Sequence, residues 1–166
     1  MKKSLTIVLA LFVVALFVIS TAVAGEEKKA DEGAKASGPV KVTKDADGKV
    51  TGVKVADQDV VLDDMGKDLA ALMDGKRTMA KGTAAEKDIA VTSYTITDVV
   101  AKVEGTKIVT AAGPTFEVDK KSAEEVAKME GKNVEVSGLV AMKDGAKVLT
   151  VHGALKPAPE KKAEPK

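Results

Sequence analysis

Residues 116–155 read FEVDKKSAEEVAKMEGKNVEVSGLVAMKDGAKVLTVHGAL. After a short strand, the S-x-x-E pattern that begins at Ser122 predicts the capped start of a helix. Gly131 suits the left-handed conformation that closes a helix. Apolar and polar residues alternate over 133–140, which predicts a strand with one buried face and one wet face. Residues 147–155 read as a closing strand, so the stretch is a strand, a short helix and two further strands.

The same layout occurs 56 residues upstream, in residues 60–96. Six positions or pairs agree at this one offset, and several of them are glycines with structural roles. The agreement indicates a duplicated unit, with two similar but independent segments as the alternative. The matches are Val60 with Phe116, Leu62 with Val118, Asp63 with Asp119, Met73 with Met129, Gly75-Lys76 with Gly131-Lys132, and Gly82 with Gly138.

The upstream copy predicts its helix through the spacing of apolar residues. They fall at i, i+4, i+7 and i+8, which places them on one helix face. Gly75 ends this helix, and strands are predicted at 59–63, 77–82 and 89–96 around it. The residues of the apolar face are Met65, Leu69, Leu72 and Met73.

β-Branched residues and turn residues dominate the rest of residues 39–155. Strands at 40–43 and 50–55 flank a D-A-D-G turn at 45–48, and the second unit begins in the same manner at 98–109. The fold class predicted is mainly β, a β-rich α+β domain with two short helices. We expect one domain over 39–155 with repeats at about 39–97 and 98–155, because either unit alone would have a marginal core.

A strand, a short helix, a G-K-x-V-x-V-x-G segment and a closing hairpin resemble the later half of the oligonucleotide/oligosaccharide-binding (OB) fold, seen also in small secreted bacterial proteins. The resemblance covers 116–155 and, more weakly, 60–96. It implies an OB-like barrel, with another small barrel or a β-sandwich as alternatives. It also implies binding across a sheet face that carries aromatic platforms. The chain departs from this pattern, because its only aromatic residues beyond residue 24 are Tyr94 and Phe116.

The first 24 residues are typical of a bacterial secretory signal peptide. Lys2 and Lys3 precede a long apolar run, and Ala22-Val23-Ala24 forms a small-x-small cleavage pattern. An uncleaved membrane anchor is the alternative, because a run of about 20 apolar residues spans a bilayer. Cleavage would release residues 25–166 to the periplasm or the extracellular space, without a membrane span.

Two segments are predicted to be disordered. Residues 25–38 (GEEKKADEGAKASG) form a charged linker with no apolar residue larger than alanine. Residues 156–166 (KPAPEKKAEPK) form a tail of proline, lysine and glutamate. Neither segment buries enough apolar surface to offset the entropy lost on ordering.

Composition excludes several classes of function. The chain has no Cys and one His, so it cannot form disulfides, use a cysteine nucleophile or build a metal centre from several histidines. Residues 25–166 carry 24 basic and 25 acidic side chains, a net charge of −1, because two of the 26 basic residues are Lys2 and Lys3. This balance does not favour nucleic acid as a partner. We expect no cofactor.

One acidic segment is a candidate metal site. Asp57, Asp59 and Asp63 would share one face of an extended strand, and carboxylates gathered in this way bind hard cations. The alternative is that they form the solvated side of a half-buried strand. The D-A-D-G turn is excluded as an EF-hand, because Lys54 stands where that loop needs glutamate.

Three further side chains are candidate ligand contacts. Arg77, the only arginine, has the geometry to clamp a carboxylate or phosphate with two hydrogen bonds, and a surface position after the helix is the alternative. Tyr94 lies near a strand end, where the alternative is the edge of the core. His152 is the only side chain whose ordinary pKa lies near neutral pH, and a neutral exposed position is the alternative.

Two classes of function remain after these exclusions. The favoured one is an exported, non-catalytic binding or interaction module of the cell envelope, whose partner is an envelope protein, a polymer or a small solute. The alternative is a divalent-cation-binding or carboxylate-based hydrolytic protein that uses the acidic segment 57–64. An enzyme is disfavoured, because the chain lacks the aromatic residues that wall most glycosidase clefts.

Overall fold

A computed structural model of the chain describes residues 33–158. The predicted signal peptide 1–24 and most of the two segments predicted to be disordered lie outside these residues. No helix within 33–158 is long and apolar enough to cross a membrane. The described elements are β1 Ala34–Lys44, β2 Val50–Val55, β3 Gln58–Val60, α1 Asp64–Met73, β4 Arg77–Ala85, β5 Asp88–Glu104, β6 Lys107–Thr110, β7 Thr115–Val118, α2 Ala123–Ala127, β8 Asn133–Lys143, β9 Ala146–Val151 and β10 Lys156–Pro157.

The strands pair in the same order twice. In the first half β1 pairs with β2 and β2 with β3, β3 runs parallel to β5, and β4 pairs with both β5 and β1. In the second half β5, β6 and β7 pair in turn, β7 runs parallel to β9, and β8 pairs with both β9 and β5. Each set of pairings closes into a ring, with a helix after its third strand. The fold is therefore mainly β and barrel-like, as predicted.

Strand β5 belongs to both rings. Its first part pairs with β4 and its last part with β6, while β8 pairs along its middle. The sequence predicts two strands that meet near residue 97, whereas the structure has one. A register shift between Ile96 and Val99 marks the junction, and Asp98 has a φ of 52° there. An extra residue in a strand is absorbed by a bulge, so no turn is needed.

The buried side chains of both halves form one hydrophobic core within the compact unit that begins at Gly33. The four apolar residues predicted to line one face of α1 are all buried. Phe116, the aligned partner of Val60, is also completely buried. A pooled core buries more apolar surface than two separate cores of this size would, and it therefore supports the fold better.

Aligned residues of the two halves occupy equivalent positions. The Asp63 carboxylate accepts a hydrogen bond from the Gly66 amide at 2.8 Å, and that of Asp119 accepts one from the Ser122 amide at 3.1 Å. The predicted Ser122 capping box is wrong, because the Ser122 side chain makes no capping hydrogen bond. The carboxylate of Asp119, four residues before the first helical residue Ala123, instead accepts from the Ser122 amide at the helix start.

Two predictions of disorder are wrong where the structure describes them. Residues 34–38 of the predicted linker belong to β1, and Ala34–Pro39 pairs with Gly82–Arg77 of β4. Lys156 and Pro157 of the predicted tail pair with Glu135 and Val134 of β8. Backbone pairing needs no large side chains, so these segments are ordered by hydrogen bonds to a strand edge that already exists.

Candidate binding site

The three predicted metal-ligand carboxylates do not converge. Asp59 accepts a hydrogen bond from the Lys54 ammonium at 2.8 Å, and this bond together with the Asp59 charge raises the pKa of Lys54. Asp63 caps α1, and Asp57 is exposed in the turn after β2. The predicted common face is wrong, because β3 ends at Val60 and the chain then turns into the helix. No three His, Asp or Glu side chains within residues 33–158 are grouped to hold a metal ion.

Tyr94 lies in the core and not at a ligand-binding surface. It is paired with Ala80 on β4 and Val140 on β8, and its side chain is completely buried. Its hydroxyl has no hydrogen-bond partner among the described residues. Burial, followed by the nearby Asp68 carboxylate, raises the pKa of the Tyr94 phenol. The side chain therefore contributes packing, while its hydroxyl is a local cost to stability.

We expect the Tyr94→Phe variant to unfold with a free energy about 1 kcal/mol higher than that of the parent protein, because it removes a buried group without a partner. The gain should grow above pH 10. At this pH the phenol ionises in the unfolded state, whereas its raised pKa keeps it protonated in the folded state. The free energy of unfolding of the parent protein therefore falls by up to about 1.4 kcal/mol per pH unit. Urea unfolding of both proteins at pH 7 and pH 11 measures the difference. A loss of stability in the variant would contradict the conclusion that the Tyr94 hydroxyl is buried without a partner.

The structure does not bring Arg77 and His152 together. Both side chains are exposed, Arg77 at the start of β4 and His152 just after β9. Strands β5 and β8 lie between them, and three strand spacings amount to about 14 Å. The His152 amide donates to the Ser137 carbonyl oxygen at 2.8 Å, which holds the chain against β8.

A groove lies elsewhere, on the outer side of four adjacent strands: β6, β5, β8 and β10. Its volume is about 930 Å³. Register aligns Val109, Lys102 and Asn133 across the first three strands, and Ala158 follows because its amide donates to the Asn133 carbonyl oxygen at 3.0 Å. Val100 lies two residues from Lys102 on β5 and also lines the groove. The C-terminal strand β10 forms one wall, so the segment predicted to be disordered helps to build this site.

Val100 is the exposed large hydrophobic side chain among the residues that line the groove. It is 44% exposed, comparable with Met79 at 47% and Met142 at 42%, and neither methionine lines the groove. The sequence contains a signal for this residue that the pattern analysis missed. Val99 and Val100 are adjacent, and side chains alternate along a strand, so one of the two valines has to face outward. Val99 is buried, and Val100 is therefore the exposed one.

The charged residues that line the groove are both basic. Lys102 and Lys132 line it together with the Asn133 amide, and no carboxylate does among residues 33–158. Lys102 forms an ion pair with Glu104 at 3.1 Å, with both side chains about half exposed. Exposed pairs of this kind contribute little to stability, so this one leaves Lys102 available to another anion. The groove thus combines an apolar floor with local positive charge.

No family model, no curated protein and no solved structure matches the chain. The functional argument therefore rests on the strand pairings, the groove and the side chains that line it.

Proposed function

We propose that this chain is an exported, non-catalytic binding module of the periplasm or the extracellular space, and that its ligand occupies the groove beside Val100. The observation that carries the proposal is the groove. Its volume of about 930 Å³ lies within the range of small-molecule sites, about 300–1,000 Å³. Its lining is largely apolar with a few polar groups, which is the usual composition of such sites.

The proposal includes an internal duplication of an OB-like barrel. The repeated order of strand pairing supports it, as do the matched hydrogen bonds in which Asp63 and Asp119 each accept from the amide three residues further on. Gly82 and Gly138 also match, because a Cβ at either position would collide with a backbone carbonyl of the neighbouring strand. Five strands in a barrel with a helix after the third are similar to the OB fold. In this proposal the binding surface lies on the outer side of the second barrel.

The hydrolytic or cation-binding alternative has no observation in its favour. Asp59 is held by Lys54 and Asp63 by the amide at the start of α1, so these carboxylates already have structural partners. Export is supported by the N-terminal pattern of two lysines, an apolar run and a small-x-small site. The protein would then bind its ligand outside the cytoplasm.

Thermal unfolding of residues 25–166 against a panel of compounds tests the proposal. The panel holds calcium, magnesium, zinc, short glycans, oligonucleotides, acidic peptides and fatty carboxylates. We expect at least one class without a metal to raise the melting temperature, because ligand at 100 times its Kd adds about 2.7 kcal/mol. The rise should be absent from Val100→Asp and retained in Met142→Asp, a substitution of a residue similarly exposed outside the groove.

Two results would contradict the proposal. One is a panel in which nothing raises the melting temperature. The other is a rise with calcium that Asp59→Asn abolishes and Val100→Asp leaves intact, which would favour the cation-binding alternative. Recovery of the expressed chain only from the bacterial cytoplasm, with residues 1–24 still attached as read by mass spectrometry, would contradict the export step.

A further inference from the structure

We infer that the groove binds a soluble anionic amphiphile: a carboxylate that carries a single apolar chain. This inference rests on the proposed function, because it takes the groove as the binding site, and it adds the chemical class of the ligand. Three features of the groove lead to it: its length, its apolar floor and the sign of its charge.

The length of the groove fits one extended chain. It crosses four strands, and three spacings of about 4.8 Å make about 14 Å. An extended chain advances about 1.2 Å per bond, so about ten to twelve carbon atoms cover this distance. A monosaccharide would leave much of such a length empty. A single acyl chain spans it.

The floor offers apolar contact along this length. Val100 of β5, Val109 of β6 and Ala111 beyond β6 lie on one side, and Pro157 of β10 lies on the other. Val100 is 44% exposed, so a chain lying on it would remove apolar surface from water at a place where the protein itself does not. Aromatic platforms are absent from the lining residues, which disfavours stacking ligands and leaves aliphatic contact as the main contribution.

The head group is assigned by charge. Lys102 and Lys132 line the same groove, and the Asn133 amide adds a neutral donor. Lys132 has no ion-pair partner among residues 33–158, and the backbone on either side of it is fixed. Its carbonyl oxygen accepts from the Val103 amide at 3.1 Å, and its own amide donates to the Met129 carbonyl oxygen at 3.0 Å. Because Lys102 is already paired with Glu104, the attraction that an anion gains here comes mainly from Lys132.

Titration of isotopically labelled residues 25–166 with sodium decanoate, followed by amide chemical shifts in NMR spectra, tests the inference. We expect saturable shifts at the amides of the groove residues on β5, β6 and β8, which are Val100, Ala101, Lys102, Val109, Thr110 and Asn133. Decyltrimethylammonium has the same chain with the opposite charge and should bind at least tenfold more weakly. Acetate has the charge without the chain and should produce no saturable shift at these amides.

Matched variants separate the two parts of the site. Val100→Asp and Lys132→Glu should each weaken decanoate binding at least tenfold. The controls are Met142→Asp, a similarly exposed apolar residue, and Lys81→Glu, an exposed lysine, both outside the groove. Both controls should bind decanoate as the parent protein does. All four substitutions are at exposed residues, and the spectrum of each variant reports directly whether it is folded.

Several outcomes would overturn the inference. They are no saturable shift with decanoate, equal binding of the cationic amphiphile, or unchanged affinity in both groove variants. Binding to phosphatidylglycerol vesicles without binding of free decanoate would assign the surface to a membrane and would also overturn it. If the panel of compounds instead reveals a glycan that requires Val100, the ligand class fails while the proposed function stands. If nothing binds, both fail together.

Discussion

Replacing Phe116 with alanine is expected to lower the free energy of unfolding by about 3–5 kcal/mol. Phe116 lies on β7 opposite Ile108, and it is completely buried in the core of the second ring. The substitution removes apolar contacts and leaves a cavity that the surrounding strands cannot close. At about 4 °C per kcal/mol, the melting temperature should fall by about 12–20 °C. Calorimetry of residues 25–166 measures both quantities.

Two control variants, one at the preceding residue and one at Phe116 itself, calibrate this loss of stability. Thr115→Ala changes the exposed residue before Phe116 on the same strand and should alter stability by less than about 0.5 kcal/mol. Phe116→Val introduces the residue found at the aligned position, Val60, and should cost less than Phe116→Ala because it leaves a smaller cavity. A loss below about 1 kcal/mol for Phe116→Ala would mean that the second ring is not packed as described.

Alanine at Gly138 is expected to cost about 2–3 kcal/mol, and the same change at Gly82 should cost a similar amount. A Cβ at Gly138 would lie closer than 3.0 Å to the Thr150 carbonyl oxygen, and one at Gly82 would lie as close to that of Ala90. Both oxygens belong to the backbone of a paired strand, so relief requires the strand to move. Urea unfolding of the two variants measures the loss in each half of the fold.

Gly52→Ala is the matched control, because Gly52 also lies within a strand. A Cβ there would meet the Thr43 side chain at 3.7 Å, an ordinary contact. The control should be neutral or gain up to about 1 kcal/mol, since glycine costs entropy in a strand. If Gly138→Ala and Gly82→Ala behave like Gly52→Ala, the close approach of the strands at these glycines is contradicted. If only one of them is costly, the equivalence of the two halves is weakened.

Much of the local structure could be predicted from the sequence. The short strand expected before the second helix is present as Thr115–Val118, and the apolar face of α1 is buried as its spacing indicates. Gly75 and Gly131 close the two helical segments with φ values of 75° and 76°. These features depend on residues close together in the chain, where side-chain period and backbone preference act directly.

The candidate site could not be predicted in the same way. Residues at the start of β1 and in β10 have no apolar signal of their own, and they are strands only because β4 and β8 present edges to them. The alternating pattern continues to Asp63 and therefore predicts one acidic face formed by Asp57, Asp59 and Asp63. The strand β3 itself ends at Val60, so this face does not form. The groove combines residues from four strands, and no pattern along the chain places these strands side by side.

The sequence by itself determined the class of fold, the two helices and the turns, because hydrophobic period and turn chemistry act over a few residues. Only the tertiary structure decided that β5 is one strand shared by two rings. It also decided that Tyr94 is enclosed, and that Val100 and Lys132 line the same groove. These features depend on pairing between distant segments, whose register is set by the whole closed sheet and not by any one stretch of sequence.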